Sequence, residues 1–270
     1  MDYHIIYINL DRSDVRNNNF ITSMNKHNIE IGKKCHRISA IDARDIKSKT
    51  SGSCDNFNYI IKNKLLFTPR TKEISIILSH IKALNFMIDN NIDLAIIMED
   101  DISFEYISNL DKFINSVLTV APENWSSIKF HTSSDSSLLH NISLSKNNIS
   151  FVPVDKSSMQ GAVCYAIKKQ TAIEIIDKYF NKNTNIYTFP HNNEFCTSEC
   201  IVFLTGNVYI YTTPYICVYD NNVTCAGNVN ISDEKTNSII HDFWNNKKIL
   251  LPTIMEKRHI KTIKEQITKH

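Results

Sequence analysis

Residues 95–105 read AIIMEDDISFE, so three adjacent carboxylates, Glu99, Asp100 and Asp101, follow directly on an apolar run. Like charges at neighbouring positions repel, and a buried run beside them makes each one harder to ionise. A divalent cation removes that repulsion, because hard Mg2+ or Mn2+ binds a few carboxylate oxygens together with the phosphate oxygens of a substrate. The triplet therefore predicts a metal and a phosphorylated ligand together. The plainer alternative is that Asp100 and Asp101 cap the next element in solvent. A second polar cluster is NLDRSDVR at 9–16, where Arg12 and Arg16 can offer planar guanidinium groups to phosphate or to a pyrimidine edge. A surface salt bridge is the competing use of Arg16. The third cluster is Ser79-His80 in an otherwise apolar stretch. A lone histidine there is commonly a satisfied core residue, yet one preceding the acidic strand could reach a diphosphate.

These groups need elements to position them. HIIYI at 4–8 reads as a buried strand, followed by a helix over 14–27 with Ser13 as N-cap and Phe20, Ile21 and Met24 on its inner face. A second strand is expected at 35–40, and the Ser-, Asn- and Lys-rich segment 45–69 reads as an irregular excursion closed by Pro69. Apolar residues in EISIILSHIKALNFMI at 73–88 cover a broad helical face, and LAIIM at 94–98 reads as a central parallel strand, apolar on both faces. The carboxylate triplet then falls at the carboxyl end of that strand, where open α/β sheets bind ligands. Beyond it the pattern predicts a helix at 108–120, a strand near 127–131, a polar stretch at 132–150 and the short run FVPV at 151–154. A strand opening at Gly161, a helix at 169–180, strands at 207–212 and 215–219, and helices at 233–246 and 253–268 complete the chain. The last of these is basic and amphipathic, and docking of Ile260, Ile263 and Ile267 on the domain is favoured over a membrane surface. Alternating strands and helices favour an α/β fold with a mostly parallel central sheet flanked by helices.

The composition limits the partners. With 270 residues, 42% hydrophobic and 21% charged, the chain can build one large domain or two small ones. A net charge of +2 gives no global field for nucleic acid or anionic membrane. MDYHIIYINLDR lacks the basic start and long apolar run of a signal peptide, and no run approaches the about 18 apolar residues of a membrane span, so a soluble, cytoplasmic protein is expected. Seven cysteines cannot all pair within one chain, and most are expected as reduced thiols. Cys196 and Cys200 have the spacing of a zinc half-site but no second pair completes it. With only five glycines, each carries more information than usual.

The ordered series YINLDRSDVR, RISAIDA, TKEISIILSHIKAL, IIMEDDI and GAVCYAI resembles glycosyltransferase family 25, the lipooligosaccharide and collagen galactosyltransferases, over roughly residues 3–220. Ser79-His80 and Glu99-Asp100-Asp101 are its most diagnostic parts. The resemblance implies a single GT-A-like nucleotide-sugar-binding domain, with a nucleotide-binding half at 1–105, an acceptor-side half at 106–220 and a helical extension at 221–270. It also implies a UDP-sugar donor, a glycan or glycoprotein acceptor, Mn2+ or Mg2+, and inversion at the anomeric carbon. Carried over residue by residue, Glu99 and Asp101 match the two acids of the DxD-type motif, with Asp101 the direct metal ligand and Asp100 facing ribose or neighbouring backbone. Asn9, Asp11, Arg12 and Arg16 fall on the first motif, and Asp42 on the acid after the second strand, suited to uracil or ribose. Glu73, Ser79 and His80 match the helix motif, and Gly161 the glycine before the Gly-x-x-x-Tyr strand. The family's aspartate after the second-half helix is replaced by Glu199, the first candidate for the general base, with Glu194 in reserve. Two other readings remain: a binding module that keeps the nucleotide-sugar fold without turnover, and a metal-dependent phosphohydrolase, whose acids would more commonly sit at the first strand.

Overall fold

The run HIIYIN forms β1 (His4–Asn9), buried from Ile5 onward because strands pair with it on both sides. The structure is a computed structural model that describes residues 1–61, 70–155, 158–189, 197–218 and 231–246. Helix α1 (Asp14–Lys26) carries an acid in its first turn and a base in its last, as its dipole favours. It buries Phe20 and Met24, while Ile21 is half-buried. After β2 (Cys35–Ser39) the segment expected to be irregular contains a hairpin, β3 (Ser51–Cys54) and β4 (Phe57–Ile61). Its two-residue turn is Asp55-Asn56, with φ of 46° and 67°, the doubly left-handed geometry whose twist suits tight hairpins.

Helix α2 (Thr71–Asp89) buries Ile74, Ile77, Leu78, Ile81 and Leu84 against the sheet. It leads into β5 (Leu94–Glu99), which ends at the carboxylate triplet, and β6 (Ile102–Ser103) follows at once. Helix α3 (Leu110–Thr119) starts where the Asn109 side chain accepts a hydrogen bond from Lys112 N at 2.8 Å, and β7 (Ser127–Lys129) comes next. The polar stretch after it, for which no element was expected, forms α4 (Asp135–Lys146), burying Leu138, Asn141, Ile142 and Ser145 at helical spacing. Then come β8 (Phe151–Pro153), β9 (Cys164–Lys168) and α5 (Lys169–Tyr179). Strand β9 begins at Cys164, so Gly161 lies on its approach and not in the strand. The chain continues through β10 (Phe180–Asn181), β11 (Ile186–Phe189), α6 (Ser198–Phe203), β12 (Val208–Tyr211), β13 (Cys217–Val218) and α7 (Ile231–Asn245).

The seven-stranded sheet has the order β2-β1-β5-β9-β7-β12-β8. Five strands run one way, and β9 and β8 oppose their neighbours. Strand β5 is therefore central as expected, but parallel only to β1 and antiparallel to β9. Alternate residues of each strand feed two cores: Ile5, Tyr7, Ile96 and Met98 pack with α1, α3 and α7, and Ile6, Ile8, Ala95 and Ile97 pack with α2 and α5. A four-stranded sheet, β10-β11-β4-β3, extends the second core, and β13 pairs with β6 beside the triplet. This is the mixed α/β architecture with a mostly parallel sheet that a GT-A-like fold requires. No described helix is long and apolar enough to cross a membrane. Cys35, Cys54, Cys164, Cys200 and Cys217 are free thiols. Glu194, Cys196 and the basic helix expected at 253–268 lie outside the described residues.

Ile97 is fully buried on the face of β5 that meets α2. Ile97→Ala leaves a cavity there and should cost about 2–5 kcal/mol, read as a lower urea midpoint with an unchanged slope. A loss below about 1 kcal/mol would show that this core repacks freely.

Candidate active site

Strands β1, β2 and β5 end on one side of the sheet, and the loops leaving them enclose a cavity of about 450 Å³, within the size range of small-ligand sites. Its wall brings together Arg12, Arg16, Ser79, His80, Glu99, Asp100, Asp101, Gly161 and Glu199. A neighbouring cavity of about 550 Å³ shares Arg12 and adds Asp11 and Asp42. Asn9 lines neither.

The triplet's three acids have three environments. Asp100 is buried, accepting from Asn9 Nδ2 at 2.5 Å and from the Arg16 guanidinium. Burial raises its pKa, against the pull of Arg16 and Asn9. Asp101 receives Arg16 Nη2 on Oδ2 at 2.8 Å, while its Oδ1 is shielded from solvent and has no hydrogen-bond partner. Burial, reinforced by Glu99 and Asp100 and opposed by Arg16, pushes Asp101 up to about 7. Glu99 sits with Oε1 3.6 Å from His80 Nε2, beyond hydrogen-bond length but within reach of an ion pair. Burial would raise its pKa, but His80, Arg16 and Lys72 outweigh that and hold it low.

The residues expected to meet the donor divide into those that face the cavity and those that build it. Arg16 is held by Asp100 and Asp101, so in this state its charge answers the acids of its own chain. Arg12 donates from Nε to Asp42 Oδ2 at 2.8 Å, and Arg44 holds the same carboxylate, whose pKa is lowered by both arginines. Asp11 accepts from Arg37 and Ser39, each at 2.7 Å. Asn9 links Arg37, Asp100 and the backbone of Ser13, a scaffold role. Ser79 accepts from Ile41 N at 2.9 Å and donates to Ser75 O at 2.7 Å, tying α2 to the end of β2. His80 is buried with Nδ1 3.0 Å from Tyr165 OH, which leaves Nε2 toward Glu99. Glu73 closes the first turn of α2, accepting from Arg70 N and from Arg70 Nε.

Across the cavity, Glu199 accepts from Gly161 N at 3.2 Å and from Ser198 Oγ at 3.3 Å. Gly161 is required here: its φ is +98°, and a Cβ would come within 2.8 Å of Ser133 Oγ and 3.1 Å of His131 Cδ2.

Reasoning from sequence missed several groups. Arg70 and Lys72 line the cavity at the start of α2, where cations oppose the helix dipole. For Lys72 that mismatch was a readable signal of a use beyond the helix, whereas Arg70 is answered by Glu73, its partner in closing the first turn. Lys129 left no such sign, being one polar residue of a short strand, and Tyr165 was marked only as the tyrosine of the Gly-x-x-x-Tyr strand.

Among the described residues no group of three or more His, Cys, Asp or Glu is set to hold a metal. The acids nonetheless suit a hard cation, because Asp101 keeps an unused buried oxygen beside Glu99, and Mg2+-like ions need only one or two carboxylates when substrate phosphates supply the rest.

An open α/β sheet with acids at its strand ends and cations around the same cavity is suited to binding a small charged ligand. Residues 2–190 match the family model described as Glycosyltransferase family 25 (LPS biosynthesis protein), and the chain belongs to that family. No curated protein matches the chain.

Asp101 holds its proton more tightly folded than unfolded. It therefore favours folding below the ordinary aspartate pKa of about 4, and that contribution is lost as pH rises through about 7. Urea midpoints measured between about pH 5 and about pH 8 should fall less for Asp101→Asn than for wild type; parallel curves would contradict the assigned shift.

Proposed function

We propose that the protein transfers a sugar from a UDP-sugar to a hydroxyl of a glycan or glycoprotein acceptor, with inversion and with Mn2+ or Mg2+ as cofactor. The observation that carries this reading is one cavity that holds the acids Glu99 and Asp101 at the end of β5 and, on its β9 side, a separate carboxylate, Glu199. The family assignment supports glycosyl transfer, and the donor, cofactor and stereochemistry are this reading's additions.

Asp101, through its unused Oδ1, and Glu99 would hold the cation. When bound, the cation supplies positive charge to the donor diphosphate and stabilises the charge that grows there. Lys72 and the amino end of α2 add fixed positive potential on the same wall, where Arg70 is paired with Glu73. Arg16 is positioned to exchange a carboxylate partner for a phosphate. The acceptor oxygen attacks the anomeric carbon as the bond from that carbon to the diphosphate oxygen breaks, and the bonding pair leaves with UDP. Glu199 takes the hydroxyl proton, the task of the base in inverting chemistry.

A second reading rests on the Arg16 clasp. A guanidinium already neutralises Asp100 and Asp101, so Arg16 can serve as the diphosphate's counter-charge without a metal.

Calorimetric titration of UDP with and without Mn2+ separates the two. The metal reading expects Mn2+ to tighten UDP binding by about tenfold or more in wild type and not in Asp101→Ala. Equal binding with and without Mn2+ in wild type favours the arginine reading. In the same preparations Glu199→Gln should bind UDP normally and transfer about 10^2 to 10^4 more slowly, and near wild-type transfer would rule Glu199 out as the base.

A further inference from the structure

Lys129 ends β7 and is completely buried, a position that lysines almost never occupy unpaired. Its Nζ donates to three consecutive carbonyls, those of Ser158 and Met159 at 2.7 Å and that of Gln160 at 2.9 Å. Three acceptors use the full donor capacity of an ammonium, one N–H more than a neutral amine has. Burial pulls this group's pKa down to about 7, and the charge of Glu199 acts against that fall. The next peptide completes the arrangement, because Gly161 N donates to Glu199 Oε1. The ammonium also stands 5.0 Å from the ring centroid of Phe203, on the same helix as Glu199.

Residues 158–161 are thus tied by two side chains of opposite charge, one on β7 and one on α6. A well-packed apolar side chain would close the end of β7 at no desolvation cost, so a buried ammonium here calls for a specific task. The run it grips is the one whose following amide meets Glu199, and the Gln160 carbonyl also accepts from Ser133 N at 3.3 Å.

We propose that Lys129 is a positioning residue for transfer: by fixing the carbonyls of 158–160 it holds the Gly161 amide, and through that amide the Glu199 carboxylate, in place in the cavity. This rests on Glu199 as the base. Lys129→Met fills the same slot without charge or donors. Its kcat should fall about 10^2-fold, the scale of a small misplacement of a reacting group, with UDP affinity unchanged. In a Glu199→Gln background the same change should alter the residual rate by less than about twofold, because the group it positions is gone. An equal loss in both backgrounds overturns the proposal. Hydrogen exchange at the Gly161 amide needs no turnover and should quicken about tenfold or more in Lys129→Met while β9 amides keep their protection. Unchanged exchange at Gly161 overturns the proposal even where transfer is never observed, so its failure is distinct from failure of the functional reading. Should Lys129→Met not fold, Lys129→Gln, which keeps two N–H donors without the charge, is taken through the same cycle and exchange measurement with the same expected and overturning results.

Discussion

Carboxylates at the end of a strand buried on both faces must be compensated or neutralised. Strand β5 ends in three of them, and the surrounding structure is arranged around that constraint. Arg16 spans Asp100 and Asp101, Asn9 holds the second oxygen of Asp100, and His80 stands against Glu99. These partners come from β1, α1 and α2, elements brought together only when β1 and β5 pair in parallel and α2 packs across them. Compensation is incomplete at Asp101, which keeps an unused buried oxygen and a raised pKa, and His80 Nε2 stands 3.6 Å from Glu99 with no hydrogen bond.

The residues of the motifs share the work unequally. Asn9, Asp100 and Ser79 are absorbed by the chain's own hydrogen bonds, so their contribution is to hold the cavity's shape. Arg12 and Asp42 form part of an ionic cluster at the edge between two cavities, where Arg44 shares the same carboxylate. Glu99, Asp101, Arg70, Lys72 and Glu199 line the space itself. Cations and acids surrounding one volume give it opposite local fields, which suits a ligand that combines a metal with a diphosphate. The wall opposite the acids depends on the approach to β9, where Lys129 and Gly161 fix the backbone beside Glu199.

Much of this was legible in the sequence wherever the hydrophobic period was strong. Strands β1, β2 and β5 and helices α1, α2, α3 and α5 follow from apolar runs and their spacing, and the place of the triplet follows from β5. The hairpin β3–β4 was hidden by polar residues, although Asp55-Asn56 carried its turn chemistry. Helix α4 was hidden in a similar way: its buried face uses Asn141 and Ser145 beside Leu138 and Ile142, so a helical spacing was present in residues that hydropathy does not count. Parallel and antiparallel partners of β5 cannot be told apart in a single strand that is apolar on both faces. The candidate site was legible as a set of acids and arginines. Their pairing with one another was not, because it depends on contacts between residues as far apart as Arg16 and Asp100. Lys129 looked like one polar position within the strand expected near 127–131, and only the three carbonyls around it reveal a buried cation.

The central claim is that the acids ending β5 form a site completed by a cation and a nucleoside diphosphate. Anomalous diffraction from crystals grown with Mn2+ and UDP tests it directly. The expected result is a manganese peak at bonding distance, about 2 Å, from Asp101 Oδ1, with diphosphate oxygens on the same ion and Arg16 turned from Asp101 toward phosphate. Bound UDP with no manganese peak at Asp101, and with Arg16 still on both aspartates, would contradict it.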